Sequence, residues 1–135
     1  MFKVVLFPLD QSRESREAAE VVINLVQTYG SRLILLSVVK KTAEQESTEG
    51  VMSSEEAVAK LLQEAKTFFA DRNIKAEVIE REGIPSFTIC DVADEIGANL
   101  IVMGCRGLGL TEEGASDSVT NKVVNLSPCP VLIVP

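Results

Sequence analysis

The chain has 135 residues, of which 46% are hydrophobic, a size and apolar content that suit one domain with a core of its own, spanning 1–135. Its formal net charge of -7 excludes the basic surface that sequence-independent binding to nucleic acid or to anionic lipid requires. With no histidine present, a Ser-His-Asp or Cys-His triad and imidazole acid–base chemistry are excluded as well, so binding is expected rather than catalysis.

Taken in chain order, Phe2 to Phe7 is a short apolar run with β-branched members, as expected of a strand covered on both faces. It is too soon interrupted by Pro8 and Asp10 to serve as a signal peptide, and no run approaches membrane-spanning length. Ser12 is placed to cap a helix running to about Tyr29, with Ala18, Ala19, Val22, Ile23, Leu25 and Val26 at helical spacing and Gly30 closing it. Arg32 to Val39 reads as a second buried strand. The polar stretch 40–53 has no clear period and is expected to be a long loop. Ser53 and Glu56 have capping-box spacing ahead of a helix to about Asp71, whose apolar stripe includes Leu61, Leu62, Ala65, Phe68 and Phe69.

Ile74 to Ile79 alternates, which predicts a strand near the sheet edge with one wet face. Gly83 and Pro85 turn the chain into a helix through about Ile96, which Gly97 ends. Asn99 to Met103 is the fourth strand. A helix over about Asp117 to Asn125, with Val119, Val123 and Val124 inward, and a fifth strand Val131 to Val134 complete the chain. The alternation of strands and helices implies an α/β fold, a doubly wound parallel sheet with helices on both faces.

In such sheets ligands bind at the carboxyl ends of the strands, where strand order reverses. Two loops leave such ends, one over Pro8 to Ser12 and one over Gly104 to Ser118. The second combines a strand end, a glycine-rich turn and a helix start, a setting in which free backbone N–H groups and the helix dipole favour an anion. By themselves Gly104, Gly107 and Gly109 are a weak signal, since they fit neither the Rossmann fingerprint nor a P-loop and a tight turn explains them equally well. Asp10 reads equally as a ribose or base ligand and as a turn residue. Cys105 beside Arg106 reads as a small turn residue rather than a reactive thiol, and Cys90 and Cys129 read as structural. Three cysteines without CxxC spacing fit a reducing, cytoplasmic setting. Ser116, Ser118 and Thr120 could accept a phosphoryl group, although caps of this type are common at helix starts.

Pro8-Leu9-Asp10, Leu35-Leu36-Ser37-Val38, Ile101-Val102-Met103-Gly104 and Pro128-Cys129-Pro130-Val131 together resemble the universal stress protein family over essentially the whole chain. The resemblance implies a five-stranded sheet of order 3-2-1-4-5, a stress-response role and homodimers paired through the last strand, Val131 to Val134. Nucleotide-binding members hold ATP with Gly-x-x-Gly, nine further residues, then Gly followed by Ser or Thr. Gly104 and Gly107 match here, and Ser118 matches the hydroxyl residue, but Asp117 stands where that last glycine belongs. Asp10 then corresponds to the ribose or base carboxylate and Val38 to the residue lining the adenine. Pro8, Leu9 and Met103 would border the same cleft, with Arg106, Gly109 and Val119 near the phosphates.

A carboxylate about 4 Å from one phosphate charge costs on the order of 4 kcal/mol at an effective dielectric of about 20, roughly a thousandfold in affinity. The expectation is therefore a cleft that takes ATP or another adenine nucleotide weakly, with Mg²⁺ only as the companion of the nucleotide. The alternative is a working ATP-binding stress protein with slow ATPase or autophosphorylation activity.

Overall fold

The computed structural model describes residues 1–9, 13–39, 50–104 and 119–135, with the side chains of residues 13–15, 50–55, 57 and 58 left aside. Five strands alternate with four helices: β1 (Val4–Pro8), α1 (Arg13–Tyr29), β2 (Arg32–Val39), α2 (Gly50–Ala70), β3 (Ala76–Glu82), α3 (Pro85–Ile96), β4 (Leu100–Gly104), α4 (Val119–Leu126) and β5 (Val131–Val134). All strand pairs are parallel, in the order β3-β2-β1-β4-β5. The expected 3-2-1-4-5 sheet is thus the observed one.

The central strands are apolar on both faces because both faces are covered. Val5, Phe7, Leu33, Leu35, Leu100 and Val102 point to one side and meet Ala18, Val22 and Val26 of α1 and Leu62 and Phe69 of α2. Their neighbours Leu6, Ile34, Leu36, Ile101 and Met103 point to the other side and meet Ile89, Val92 and Ala93 of α3 and Val123 of α4. A one-residue slip of any central strand would exchange these two sets, so register is tightly specified. Phe69 lies edge-on to Phe7 with ring centroids 6.3 Å apart, pinning α2 to β1. The partly buried Phe68 carries the Arg72 guanidinium 4.2 Å above its ring. Phe69 is a core group and Phe68 packs against the same cluster from its margin.

Several expected boundaries shift. Pro8 is the last residue of β1 rather than its breaker, and the Leu9 N–H donates to the Leu36 carbonyl (2.9 Å), so pairing with β2 runs past the proline. α2 begins at Gly50, inside the stretch expected to be a loop, while residues 40–49 lie outside the described residues. The third strand spans Ala76–Glu82 rather than 74–79, and Ile74 is buried just ahead of it. Val124, expected inward, is 50% exposed, whereas Val123 beside it is fully buried. Adjacent helical residues lie about 100° apart, and α4 uses one of the two for its inward face.

Two glycines perform the turns that sequence assigned to them. Gly97 adopts φ 67 at the end of α3, and its N–H reaches the Ala93 and Asp94 carbonyls, closing the helix so that Asn99 can meet β1. There the Asn99 side-chain oxygen accepts from the Val4 N–H and the Asn99 N–H donates to the Val4 carbonyl, both at 2.8 Å. Gly83 has φ 155, and a Cβ built on it would stand 2.6 Å from the Thr88 hydroxyl. Only glycine fits between β3 and α3 without displacing that side chain.

At the edge, Arg32 of β2 makes a two-pronged ion pair with Glu77 of β3, at 2.6 and 2.8 Å. The guanidinium holds the Glu77 carboxyl below its ordinary range, chiefly by hydrogen bonding. The pair is exposed, so salt screens it.

Two predictions follow from this packing. Phe69→Ala removes a buried ring facing Phe7 and should lower unfolding free energy by about 3–5 kcal/mol, read by urea denaturation. A carboxyl whose folded pKa is depressed stabilises the fold above its unfolded value and ceases to do so as pH falls through the folded one. Glu77→Gln should therefore be less stable than the parent at neutral pH and low salt. The difference should close on acidification below the ordinary glutamate range, and a gap unchanged down to about pH 2 would contradict the pairing.

Candidate functional site

The strand order reverses between β1 and β4, and the two strands pair only briefly there. β1 registers with β2 over five residues, Val4↔Arg32 to Pro8↔Leu36, but with β4 only at Val5↔Leu100 and Leu6↔Ile101. Past these the carboxyl ends of β1 and β4 run on without a shared ladder. Alternation explains how Pro8 is tolerated beside this gap. Leu9 donates toward β2, so position 8 faces β4, where a donor has no ladder carbonyl to serve. A reversal of strand order is where a doubly wound sheet offers a ligand a crevice.

Six of the twelve residues singled out from the sequence fall among those described, and all six stand at or next to strand or helix ends. Pro8 closes β1, Leu9 follows it, and both are buried. Met103 and Gly104 close β4, with Met103 buried in the apolar cluster on the α3 and α4 side. Val38, next to last in β2, and Val119, first in α4, are partly buried against that same cluster. The structure therefore gathers Val38, Met103 and Val119 on one side of the sheet near its carboxyl edge. Asp10, Arg106, Gly107, Gly109, Asp117 and Ser118 lie outside the described residues, as do Cys105 and Ser116.

Neighbouring polar groups narrow what this rim can do. Arg81 is the register partner of Val38, but its guanidinium is engaged by Glu95 of α3 at 3.1 and 3.3 Å. The Gly83 N–H donates to the Val39 carbonyl, which carries β3 and its turn alongside the end of β2. Thr120, considered from sequence as a phosphoryl acceptor, is only 7% exposed, and its hydroxyl donates to the Gly104 carbonyl at 3.0 Å. That hydroxyl is committed to holding two elements together. Sequence reasoning missed this role because a threonine at a helix start looks the same whether it caps its own helix or reaches another strand.

The cysteines on the α3 and α4 side are quiet. Cys90 and Cys129 are free thiols, half-buried against the apolar cluster. Burial is the main cause that pushes both up from the ordinary thiol value, helped at Cys90 by the Asp91 charge. At Cys129 a hydrogen bond from the Ser127 hydroxyl to the sulfur, 3.8 Å long, opposes the rise. Thiols displaced upward are less nucleophilic at neutral pH, in keeping with a packing role.

No helix among the described residues is long and apolar enough to cross a membrane. Comparison with known proteins agrees with the architecture. A universal stress protein of Synechocystis sp. is 61% identical over 136 residues, a match that covers all of this chain and 87% of that protein. The solved universal stress protein from Lactobacillus plantarum superposes with a TM-score of 0.85 at 24% identity, covering 99% of this chain and 98% of the other. A universal stress protein solved in complex with cAMP gives a TM-score of 0.80, also at 24% identity, covering 99% and 97% of the two chains. At that identity these two structures show the shared fold. The universal stress protein family model matches residues 1–135 from end to end, and with the Synechocystis relative it makes this chain a member of the universal stress protein family.

Proposed function

We propose that this chain is a cytoplasmic stress-response protein that acts by binding and by forming homodimers, with an adenine-nucleotide cleft weakened by Asp117. The observation that carries the reading is the short ladder between β1 and β4 at the reversal of strand order, with Pro8, Val38, Met103 and Gly104 at the carboxyl ends of their strands and Val119 at the start of α4. In this reading Pro8, Leu9, Asp10, Val38 and Met103 serve the adenosine part of the ligand. Gly104, Arg106, Gly107, Gly109, Ser118 and Val119 serve its phosphates, and Mg²⁺ enters only with the nucleotide.

Asp117 sets the sign of the affinity. It places a carboxylate where relatives that bind ATP carry glycine, and repulsion grows with each phosphate charge brought near it. A universal stress protein of this fold is known with cAMP, a ligand with a single phosphate charge. Singly charged adenine ligands should therefore lose less affinity here than ATP.

Dimer formation is supported by the contrast between the two sheet edges. β3 lines its edge with Glu77, Glu80, Arg81 and Glu82, charges that discourage strand addition. β5 presents only Val131-Leu132-Ile133-Val134, with Leu132 exposed, and Val124 and Leu126 are exposed on the helix before it.

Two measurements test the reading. Titration of the purified protein with ATP and Mg²⁺ should show affinity weaker than micromolar, and Asp117→Gly should tighten it by up to roughly a thousandfold. Micromolar ATP binding by the parent chain would instead support a working ATP module, and an unchanged affinity in Asp117→Gly would clear the carboxylate of blame. Sedimentation at micromolar concentration should show a dimer that Leu132→Arg shifts toward monomer, and a monomeric parent protein would refute the interface.

A further inference from the structure

We infer that the outward face of α3 is a docking surface for a basic amphipathic helix of a partner protein, a role independent of the nucleotide reading. Ser86, Ile89, Val92 and Ala93 are the buried residues of α3 and define its inward side. Phe87, Asp91 and Asp94 recur at i, i+4 and i+7 on the opposite side, and all three are exposed. Ile84, the N-cap, stands just ahead of them. Phe87 is 54% exposed and Ile84 60%, so an aromatic and an aliphatic side chain lie in water at one end of a stripe whose other end is acidic.

Neither end of this stripe serves the fold. A single exposed apolar side chain is ordinary, but here two lie together beside two charges that lack counterparts. Among the described residues Asp91 and Asp94 have no ion-pair or hydrogen-bond partner, whereas Glu95 on the flank of the stripe is held by Arg81. α3 contains no Lys or Arg, and Asp94 and Glu95 fall in its last turn, where the helix dipole disfavours negative charge. Local rules broken on one face without a gain in packing mark a surface that serves something outside the chain.

Charge selects the occupant. A cation brought to Asp91 and Asp94 relieves their mutual repulsion and the dipole penalty together, while Phe87 and Ile84 supply an apolar anchor beside it. A partner helix with one apolar turn followed by Lys or Arg matches the stripe, whose own spacing is helical. A second copy docking by this same face brings the same acids and no cation. An anionic membrane is repelled by a chain of formal net charge -7.

The probe is a synthetic Leu/Lys peptide of helical period, titrated into the full chain by calorimetry and mapped by amide chemical shifts, with a Leu/Glu peptide as control. The Leu/Lys peptide should shift the amides of Ile84, Phe87, Asp91 and Asp94 most, and the Leu/Glu peptide should not bind. Phe87→Ala should weaken binding at least about tenfold. Asp91→Asn combined with Asp94→Asn should weaken it about threefold to tenfold while raising the melting temperature. Glu17→Gln combined with Glu64→Gln removes the same charge from α1 and α2, across the sheet, and should leave affinity within about twofold of the parent. Equal losses in the two charge-removing pairs reduce the attraction to net charge and overturn the inference, as do shifts centred on another element. A fall in stability alongside affinity in the aspartate pair shows that these acids support the fold, and overturns it too. Dissociation of an oligomer by Phe87→Ala gives the face to a second copy, and binding to phosphatidylcholine vesicles that Phe87→Ala abolishes gives it to a membrane. Either result overturns the choice of occupant.

Discussion

A strand pair that stops early governs this molecule. β1 and β4 share only two registered pairs, although each continues for two or more residues beyond. Had the ladder run on, the carboxyl edge would close into continuous sheet and the loops after β1 and β4 would have no recess to border. Where it stops, the strand order reverses, the place at which a doubly wound sheet offers a crevice to a ligand. Pro8 is compatible with this place because the missing N–H faces the side where no ladder continues.

The sheet manages its two outer strands in opposite ways. β3 is held at its base by the Arg32–Glu77 ion pair and covered outward with charge, while β5 keeps four apolar residues and little to repel a partner strand. Of the two outer strands, only β3 carries the charges that discourage strand addition. The asymmetry costs the fold little, since edge positions bury less than central ones.

Much of this was legible in the sequence, for identifiable reasons. β2 and α3 match their expected spans, because a continuous apolar run and a Pro-to-Gly bracket are strong local signals. The sheet order followed from motif resemblance rather than from periodicity, which is silent on which strands become neighbours. Periodicity failed where two apolar residues compete for one face, as with Val123 and Val124, and where an edge strand alternates only weakly, as with Val78 and Ile79. At the site, the strand-end residues were found from their motifs. The bond from Thr120 to Gly104 was not, because a long-range contact of a small polar residue leaves no local pattern.

The reciprocal hydrogen bonds between Val4 and Asn99 have a consequence for how the protein comes into being. They join residues 95 apart, so the innermost strand takes one of its two neighbours from far along the chain. A nascent or truncated chain ending before β4 can pair β1 with β2 and β3, but it leaves β1 as an open apolar edge. Closing so long a loop is slow, and such an edge is prone to pair with other chains while it waits. Until the last third of the chain arrives, the central strand is an edge strand.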